Sequence, residues 1–276
     1  MASFAVPADL RVGLACVFML LALCAVAVKV VPCLRPIGLH GKRQARVCED
    51  GSGTLARWVD IRVPKALFAW MYVYGTCAGI VGVVVLASAR DAVDLQAMMS
   101  FEVQCVRRVL ECVFLAQFGT STMHVGGLVV GLLHYTLVPA CFLLGRAGHG
   151  SGPGIAVHVL SGGLFVVASA AQCRAHVVLA SIKRRGGDGH YEFPRGAGFG
   201  VVACPHYAAE VAVYMSWLLL DWRCPVRWAL VVWVATNLAV VADSQHAWYR
   251  GAFPEEFQKR AKSTRFGWKR LIPGVW

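Results

Sequence analysis

Seven long apolar runs organise the chain. They cover residues 12–31, 66–88, 97–118, 123–144, 155–182, 207–222 and 226–249. Most approach the roughly 20 apolar residues that a helix needs to cross a bilayer. Backbone groups in lipid have to be satisfied within their own segment, so helices are expected throughout. The pattern predicts an all-α fold, a polytopic membrane bundle of about seven transmembrane helices. The run at 97–118 is the least apolar, because Arg107, Arg108 and Glu111 fall inside it. The first run is too long for the apolar stretch of a secretory leader and shows no small-residue cleavage site, so it is expected to be a retained first span.

Charge between the runs gives an orientation. The segment after the first run holds Arg35, Lys42, Arg43, Arg46, Arg57, Arg62 and Lys65. The segment between the fifth and sixth holds Lys183, Arg184, Arg185 and Arg195, and the tail holds Arg250, Lys259, Arg260, Lys262, Arg265, Lys269 and Arg270. Seven spans place all of these on one side, against Arg11, Arg90, Arg146, Arg223 and Arg227 on the other. Basic loops face the cytosol, so the C-terminus is expected there.

Composition sharpens the picture. Of 276 residues, 58% are hydrophobic and 15% charged, where soluble domains carry about a quarter charged. The net charge of +12 would suggest nucleic-acid binding in a soluble protein. Here the cations sit between apolar runs without the aromatic-interleaved stripes of such a surface, so no nucleic acid is expected. The 11 cysteines show no C-x-x-C pair, and several lie within apolar runs (Cys16, Cys24, Cys77, Cys141). They read as small hydrophobes rather than a disulfide framework. Paired histidines at metal-ligand spacing and H-E-x-x-H are absent, so no metal site is expected. No G-x-G-x-x-G motif follows a strand, which leaves out a Rossmann domain.

Ionisable groups inside spans are costly and point to function. Arg107 and Arg108 stand four and three residues before Glu111, close enough on one helical face to pair with it. That pairing reads equally as a self-neutralising structural cluster. His124 opens the fourth run, and Tyr135 lies further along it. Gln172 and His176 are four apart, and Lys183 follows seven beyond, near one face of a helix ending in three cations. A Gly-rich loop carrying Tyr191, Glu192 and Arg195 leads to Cys204-Pro205-His206, where Pro205 suits a helix start. His206 and Glu210 lie one turn apart, and His246 and Tyr249 close the last run. Polar residues therefore gather at the ends of the last three spans.

These pieces resemble the steroid 5α-reductase family, and within it the polyprenol (polyprenal) reductase branch. The resemblance runs from Val63-Pro64-Lys65 onward through Arg107-Arg108-x-x-Glu111-Cys112, Met123-His124, Gln172-x-x-x-His176, Phe193-Pro194-x-Gly196, Pro205-x-Tyr207-x-x-Glu210, His246-x-Trp248-Tyr249 and Leu271-Ile272-Pro273. It implies a single membrane domain over 1–276, multi-pass in the endoplasmic reticulum. Within it, 1–62 form the first span and a cytosolic loop, 63–150 the substrate-side helices, and 151–276 the helices that bind NADPH. It implies cofactor contacts from Gln172, His176, Lys183, Tyr191, His206, Glu210, His246 and Tyr249. The implied substrate is a long-chain isoprenoid lipid, reduced at its α-isoprene double bond on the path to dolichol for N-glycosylation. No obligate protein partner is implied beyond membrane lipids. The sequence departs from the family pattern at His206, where Asn is usual, and at Glu192, where Arg is usual. A carboxylate at 192 repels phosphate, so Arg184, Arg185 or Arg195 would have to compensate.

Chemistry favours the aldehyde as the reduced species. An isolated alkene resists hydride, whereas an alkene conjugated to a carbonyl passes charge to oxygen. A donor to that oxygen is required, and Glu111 (if protonated), His124 and Tyr135 are the expected catalytic candidates. A steroid 3-oxo-5α 4-dehydrogenase-type reductase is the near alternative. A membrane methyltransferase using S-adenosylmethionine, of the isoprenylcysteine type, is the more distant one. A transporter would show inverted repeats and midplane helix breaks, and neither is visible.

Overall fold

The computed structural model describes residues 7–31, 61–89, 91–144, 153–186, 191–264 and 268–271. All seven expected helices form: α1 Ala8–Val30, α2 Phe68–Ala89, α3 Ala92–Phe114, α4 Val125–Leu144, α5 Ile155–Gly186, α6 Pro205–Leu220 and α7 Pro225–Ala252. Among the described residues, the stretches carrying α1, α2, α4, α5 and α7 are long and apolar enough to cross a membrane by themselves. Helix α3 carries several charged and amide residues, and α6 has only 16 residues; both pack among the other five. The chain is thus a multi-pass membrane protein built as an all-α bundle. Its rim bears the mark of lipid as solvent: Leu20 and Leu23 on α1, Val81 and Val84 on α2, and Val159, Val166 and Val167 on α5 are all exposed.

Helix ends follow from local chemistry. The Asp91 carboxylate caps α3 by accepting from the amides of Val93 (3.1 Å) and Asp94 (3.2 Å), which starts the helix earlier than its apolar run suggests. Pro205 and Pro225 open α6 and α7, where the missing N–H costs nothing. At 32 residues, α5 is about 48 Å long against a hydrocarbon core of about 30 Å. Its last turns therefore extend past the core, which explains why the exposed Arg174 and the cations Lys183, Arg184 and Arg185 are tolerated there.

Hydrophobicity alone did not foretell three features. An antiparallel pair, β1 Arg62–Pro64 and β2 Thr122–His124, joins the entries to α2 and α4. An amphipathic helix α8, Pro254–Ser263, follows α7. Residues 268–271 return to the loop before α6, where Lys269 bridges Val202 in parallel and the amides of Ala203 and Cys204 donate to the carbonyls of Lys269 (2.8 Å) and Arg270 (3.1 Å). Asp243 on α7 anchors this end, pairing with Lys29 of α1 (2.7 Å) and with Arg270. The basic segment at 35–57, together with Arg90, Arg146, His190, Ile272 and Pro273, lies outside the described residues.

Consecutive helices alternate in direction, so the starts of α2, α4 and α6 share one end of the bundle with the ends of α1, α3, α5 and α7. This is the polar end. The middle is packed by Phe101, Phe142, Trp217 and Leu230, with Phe18 inserted from α1. The far end is locked by one ion pair. Arg227 donates to Asp94 and to the Trp217 carbonyl (2.7 Å), and both charged residues are only 2% exposed. Removing one partner of such a pair strands the other charge, at roughly 3–5 kcal/mol, while an apolar pair of similar volume is close to neutral. Asp94→Ala is therefore expected to lower the thermal midpoint in detergent sharply, and Asp94→Leu combined with Arg227→Met to restore most of it.

The loop before α6 offers a second test. Gly196, Ala197 and Gly198 all have positive φ (76°, 45° and 89°). A Cβ at Gly198 would lie 2.8 Å from the Pro205 Cβ, whereas one at Gly196 meets open space. Gly196→Ala should carry only the left-handed backbone cost, about 1–2 kcal/mol. Gly198→Ala adds a clash to that cost, so its thermal midpoint should fall further than that of Gly196→Ala.

Candidate active site

At the polar end, three helices bring a connected network together. Helix α3 presents Gln104, Arg107, Arg108 and Glu111, spaced so that all four share one face. Helix α5 faces them with Ser169, Gln172 and His176, and α6 contributes Glu210 and His206. Arg107 donates to Glu111, to Gln172 and to Gln104 (2.9 Å). Gln104 donates to the Gln172 carbonyl oxygen (2.9 Å), and the Gln172 amide group donates to Glu210. Gln172 is fully buried and Glu111 is 5% exposed. Isolated charges at such depth would be prohibitive, and the network neutralises them in place.

Arg108 completes the circuit. It donates to Glu111 and, through Nη2, to the Tyr72 hydroxyl (3.0 Å), with its guanidinium 4.9 Å from the Tyr72 ring centre. His176 Nδ1 lies 2.7 Å from the Glu111 carboxylate and 2.6 Å from Arg108 Nη1. A guanidinium only donates and a carboxylate only accepts, so Nδ1 either accepts from Arg108 or, when protonated, donates to Glu111. Glu111 receives hydrogen bonds from both Arg107 and Arg108.

Five of the predicted site residues meet here: Glu111, Gln172, His176 and Glu210 through hydrogen bonds, and His206 through its ring, 5.7 Å from that of His176. The other six lie around them. Tyr191, His246 and Tyr249 belong to an aromatic cluster built on Trp268. The Tyr191 ring is 5.1 Å from Trp248, the Tyr249 ring is 5.4 Å from Trp268, and His246 Nε2 donates to the Trp268 carbonyl (2.9 Å). Trp268 in turn donates to the Phe199 carbonyl (2.8 Å), and Phe199 packs 6.1 Å from the His206 ring. Lys183 reaches the Gln117 carbonyl in the turn after α3. His124 sits in β2, where its Nδ1 accepts the Gly126 amide (2.9 Å) at the start of α4. Tyr135 packs edge-on against Tyr72, with ring centres 5.3 Å apart.

Glu192 also finds its partner: Arg185 donates to it at 2.9 Å, which neutralises the carboxylate that departs from the expected pattern. Cys204, just before α6, is buried, and burial pushes its thiol up to about 12. It is a packing residue rather than a nucleophile.

Tyr72, Gln104, Ser169 and Trp268 were not anticipated. Gln104 had a visible signal, seven residues before Glu111 on the same helical face. Trp268 had none, because only the folded tail brings it under α7.

The cluster leaves polar atoms without partners. Three buried polar atoms around it make no hydrogen bond: His206 Nδ1, Arg107 Nε and Arg108 Nε. Two are donors only, and the third has either role. Beside it, α5 and α6 form an open apolar groove of about 300 Å³, lined by Ala168, Ala171, Ala208 and Ala212 together with Gly198 and Pro205. No group of three or more His, Cys, Asp or Glu residues is placed to hold a metal among the described residues.

Comparison with known proteins adds an independent line. Residues 154–276 match the family model described as 3-oxo-5-alpha-steroid 4-dehydrogenase. The chain is 26% identical over 193 residues to polyprenal reductase 2 of Oryza sativa subsp. japonica, covering 58% of this chain and 54% of that protein. It is 27% identical over 177 residues to polyprenal reductase of Xenopus tropicalis, covering 59% and 58%. It is 32% identical over 101 residues to steroid 5-alpha-reductase DET2 of Gossypium hirsutum, covering 37% and 38%. The chain spans about half the length of the curated polyprenal reductases it matches. The segment that carries Gln172, His176, His206, Glu210, His246 and Tyr249 thus lies within the stretch similar to the 3-oxo-5-alpha-steroid 4-dehydrogenase family model, and the chain is similar to polyprenal reductases over a wider stretch.

Proposed function

We propose that this protein is an NADPH-dependent reductase of the α-isoprene double bond of polyprenal, acting on the path to dolichol in the endoplasmic reticulum membrane, with its C-terminus in the cytosol. One observation carries the reading. A buried, connected polar network lies at the mouth of an apolar bundle, and its α5 and α6 members fall inside the segment that matches a reductase family model. The names of the similar proteins favour polyprenal over a steroid, because the polyprenal reductases align over more of the chain than the steroid reductase does. The S-adenosylmethionine alternative has no support from these comparisons.

In this reading 63–150 form the substrate side and 151–276 the cofactor side of one membrane domain. Gln172, His176, His206 and Glu210 would hold the nicotinamide end of NADPH, and Tyr191, His246 and Tyr249 would flank the rest, with Lys183 and the neighbouring cations near the phosphates. Bound NADPH supplies a hydride. The protein's own part is to orient the enal, exclude water and place a donor at its carbonyl oxygen. Glu111, His124 and Tyr135 are the sequence candidates for that donor. Glu111 is set as an acceptor that positions Arg107 and Arg108, and His124 has its Nδ1 engaged by the Gly126 amide.

The reading is tested with purified protein in nanodiscs, supplied with polyprenal, polyprenol or a 3-keto-Δ4 steroid and with NADPH or NADH. Polyprenal with NADPH should be reduced fastest. Equal or faster reduction of the steroid would transfer the assignment to the steroid alternative, and no turnover with any pair would remove the reductase reading. Cofactor placement is tested by Glu210→Gln. A hydrogen bond to a charged group contributes about 1.5–3 kcal/mol, so NADPH affinity measured by fluorescence should weaken roughly tenfold to a hundredfold. Unchanged affinity would place the cofactor elsewhere.

A further inference from the structure

We propose that Tyr72 is the hydrogen-bond donor to the substrate carbonyl, an assignment that rests on the reductase reading above. The phenol oxygen can accept and its proton can be donated. Arg108, which only donates, occupies a lone pair of that oxygen at 3.0 Å. The phenol's own proton has no acceptor among the described residues, although the side chain is buried. A buried donor left unspent is expensive, and a guest carbonyl would satisfy it. The guanidinium also polarises the phenol, because positive charge beside the oxygen stabilises electron density arriving there.

Position agrees with chemistry. Tyr72 is the one member of the network that comes from α2, on the substrate side. The prospective cofactor residues Gln172, His176, His206 and Glu210 come from α5 and α6. Hydride and carbonyl donor have to approach different atoms of the enal, so two walls are needed. Around Tyr72 the surface is aromatic: Phe68 at 5.2 Å and Tyr135 at 5.3 Å between ring centres, both edge-on. That environment suits the conjugated head and first prenyl unit of a lipid aldehyde.

The step balances as follows. The β-carbon gains hydride from the reduced nicotinamide, and the C=C electron pair shifts so that charge collects on the carbonyl oxygen. The Tyr72 O–H donates to that oxygen while Arg108 faces the phenol from the other side. The α-carbon then takes a proton that comes from water, the carbonyl re-forms, and the phenol is left as it began. The net change is one hydride and one proton added across the double bond.

Tyr72→Phe keeps the ring packing and removes only the hydroxyl. It should lower kcat for polyprenal reduction about a hundredfold or more, the usual cost of one lost oxyanion donor, while NADPH affinity stays near wild type and the thermal midpoint falls modestly, because Arg108 Nη2 loses its acceptor. Tyr72→Gln, which returns a donor, should recover part of the rate. A second readout needs no turnover: infrared difference spectra of carbonyl-labelled farnesal bound without NADPH. The C=O stretch should move to lower wavenumber in wild type and stay at its unbonded position in Tyr72→Phe. A kcat within threefold of wild type, or an unchanged carbonyl shift in the variant, overturns the Tyr72 assignment alone. Failure of wild type to reduce polyprenal or any other substrate of the nanodisc set above overturns the reductase reading, and this assignment with it.

Discussion

Charge inside a membrane has to be cancelled where it stands, and the rest of this structure is arranged around that constraint. Two guanidinium groups on α3 would be intolerable among lipid-facing helices. Glu111 cancels one of them, and the network spreads the remaining polarity across Gln172, Glu210, His176 and Tyr72. Because the partners come from α2, α3, α5 and α6, neutralising the charge also fixes these helices against one another. Helices α3, α5 and α6 are held in register by hydrogen bonds that hydrophobic packing between apolar faces would not specify. The same side chains that make the polar end safe in lipid therefore define a rigid polar surface facing the interior.

The far end solves the same problem differently. Asp94 and Arg227 cancel each other as a closed pair, with the second guanidinium arm capped by the Trp217 carbonyl. Nothing in that pair is left unspent, and it reads as a lock. At the polar end, His206 Nδ1, the Nε atoms of both arginines and the Tyr72 proton remain without partners. The closed pair and the polar cluster thus differ in how completely their hydrogen-bonding groups are used. The cluster neutralises itself, and it keeps donors in hand.

The helices were legible because the bilayer imposes a length and a composition on each of them. All seven apolar runs became helices, with errors confined to their ends. The end of α5 was legible in its three cations rather than in its apolar run, and the start of α3 was missed because Asp91 caps it from outside its apolar run. The site was legible only in part. Gln172, His176 and Glu210 could be grouped by helical spacing within each segment, and the structure joins them. The separation of Tyr191, His246 and Tyr249 into an aromatic cluster could not be read, because it depends on Trp268 returning from the tail to bond the Phe199 carbonyl. Tyr72 was hidden for a similar reason. It stands in an aromatic stretch of α2, and only the reach of Arg108 from the next helix distinguishes it from Tyr74, two residues on, which bonds Thr136 at an exposed position.

The tail connects the two clusters mechanically. Residues 268–271 pair with the backbone of 202–204, immediately before Pro205 starts α6. His206 and Glu210 follow within two turns. The loop ahead of them is wound by three consecutive positive-φ residues and pressed against Pro205 at Gly198. Asp243 ties the same tail to α7 and α1 through Arg270 and Lys29. The start of α6 is thus clamped from both sides, by the strained loop and by the returning tail. A polar network of short side chains depends on such a clamp: Gln172 and Glu210 stay within hydrogen-bond reach only if α6 begins at one fixed height along α5. The aromatic cluster and the polar network, separate in their contacts, therefore share a single mechanical support.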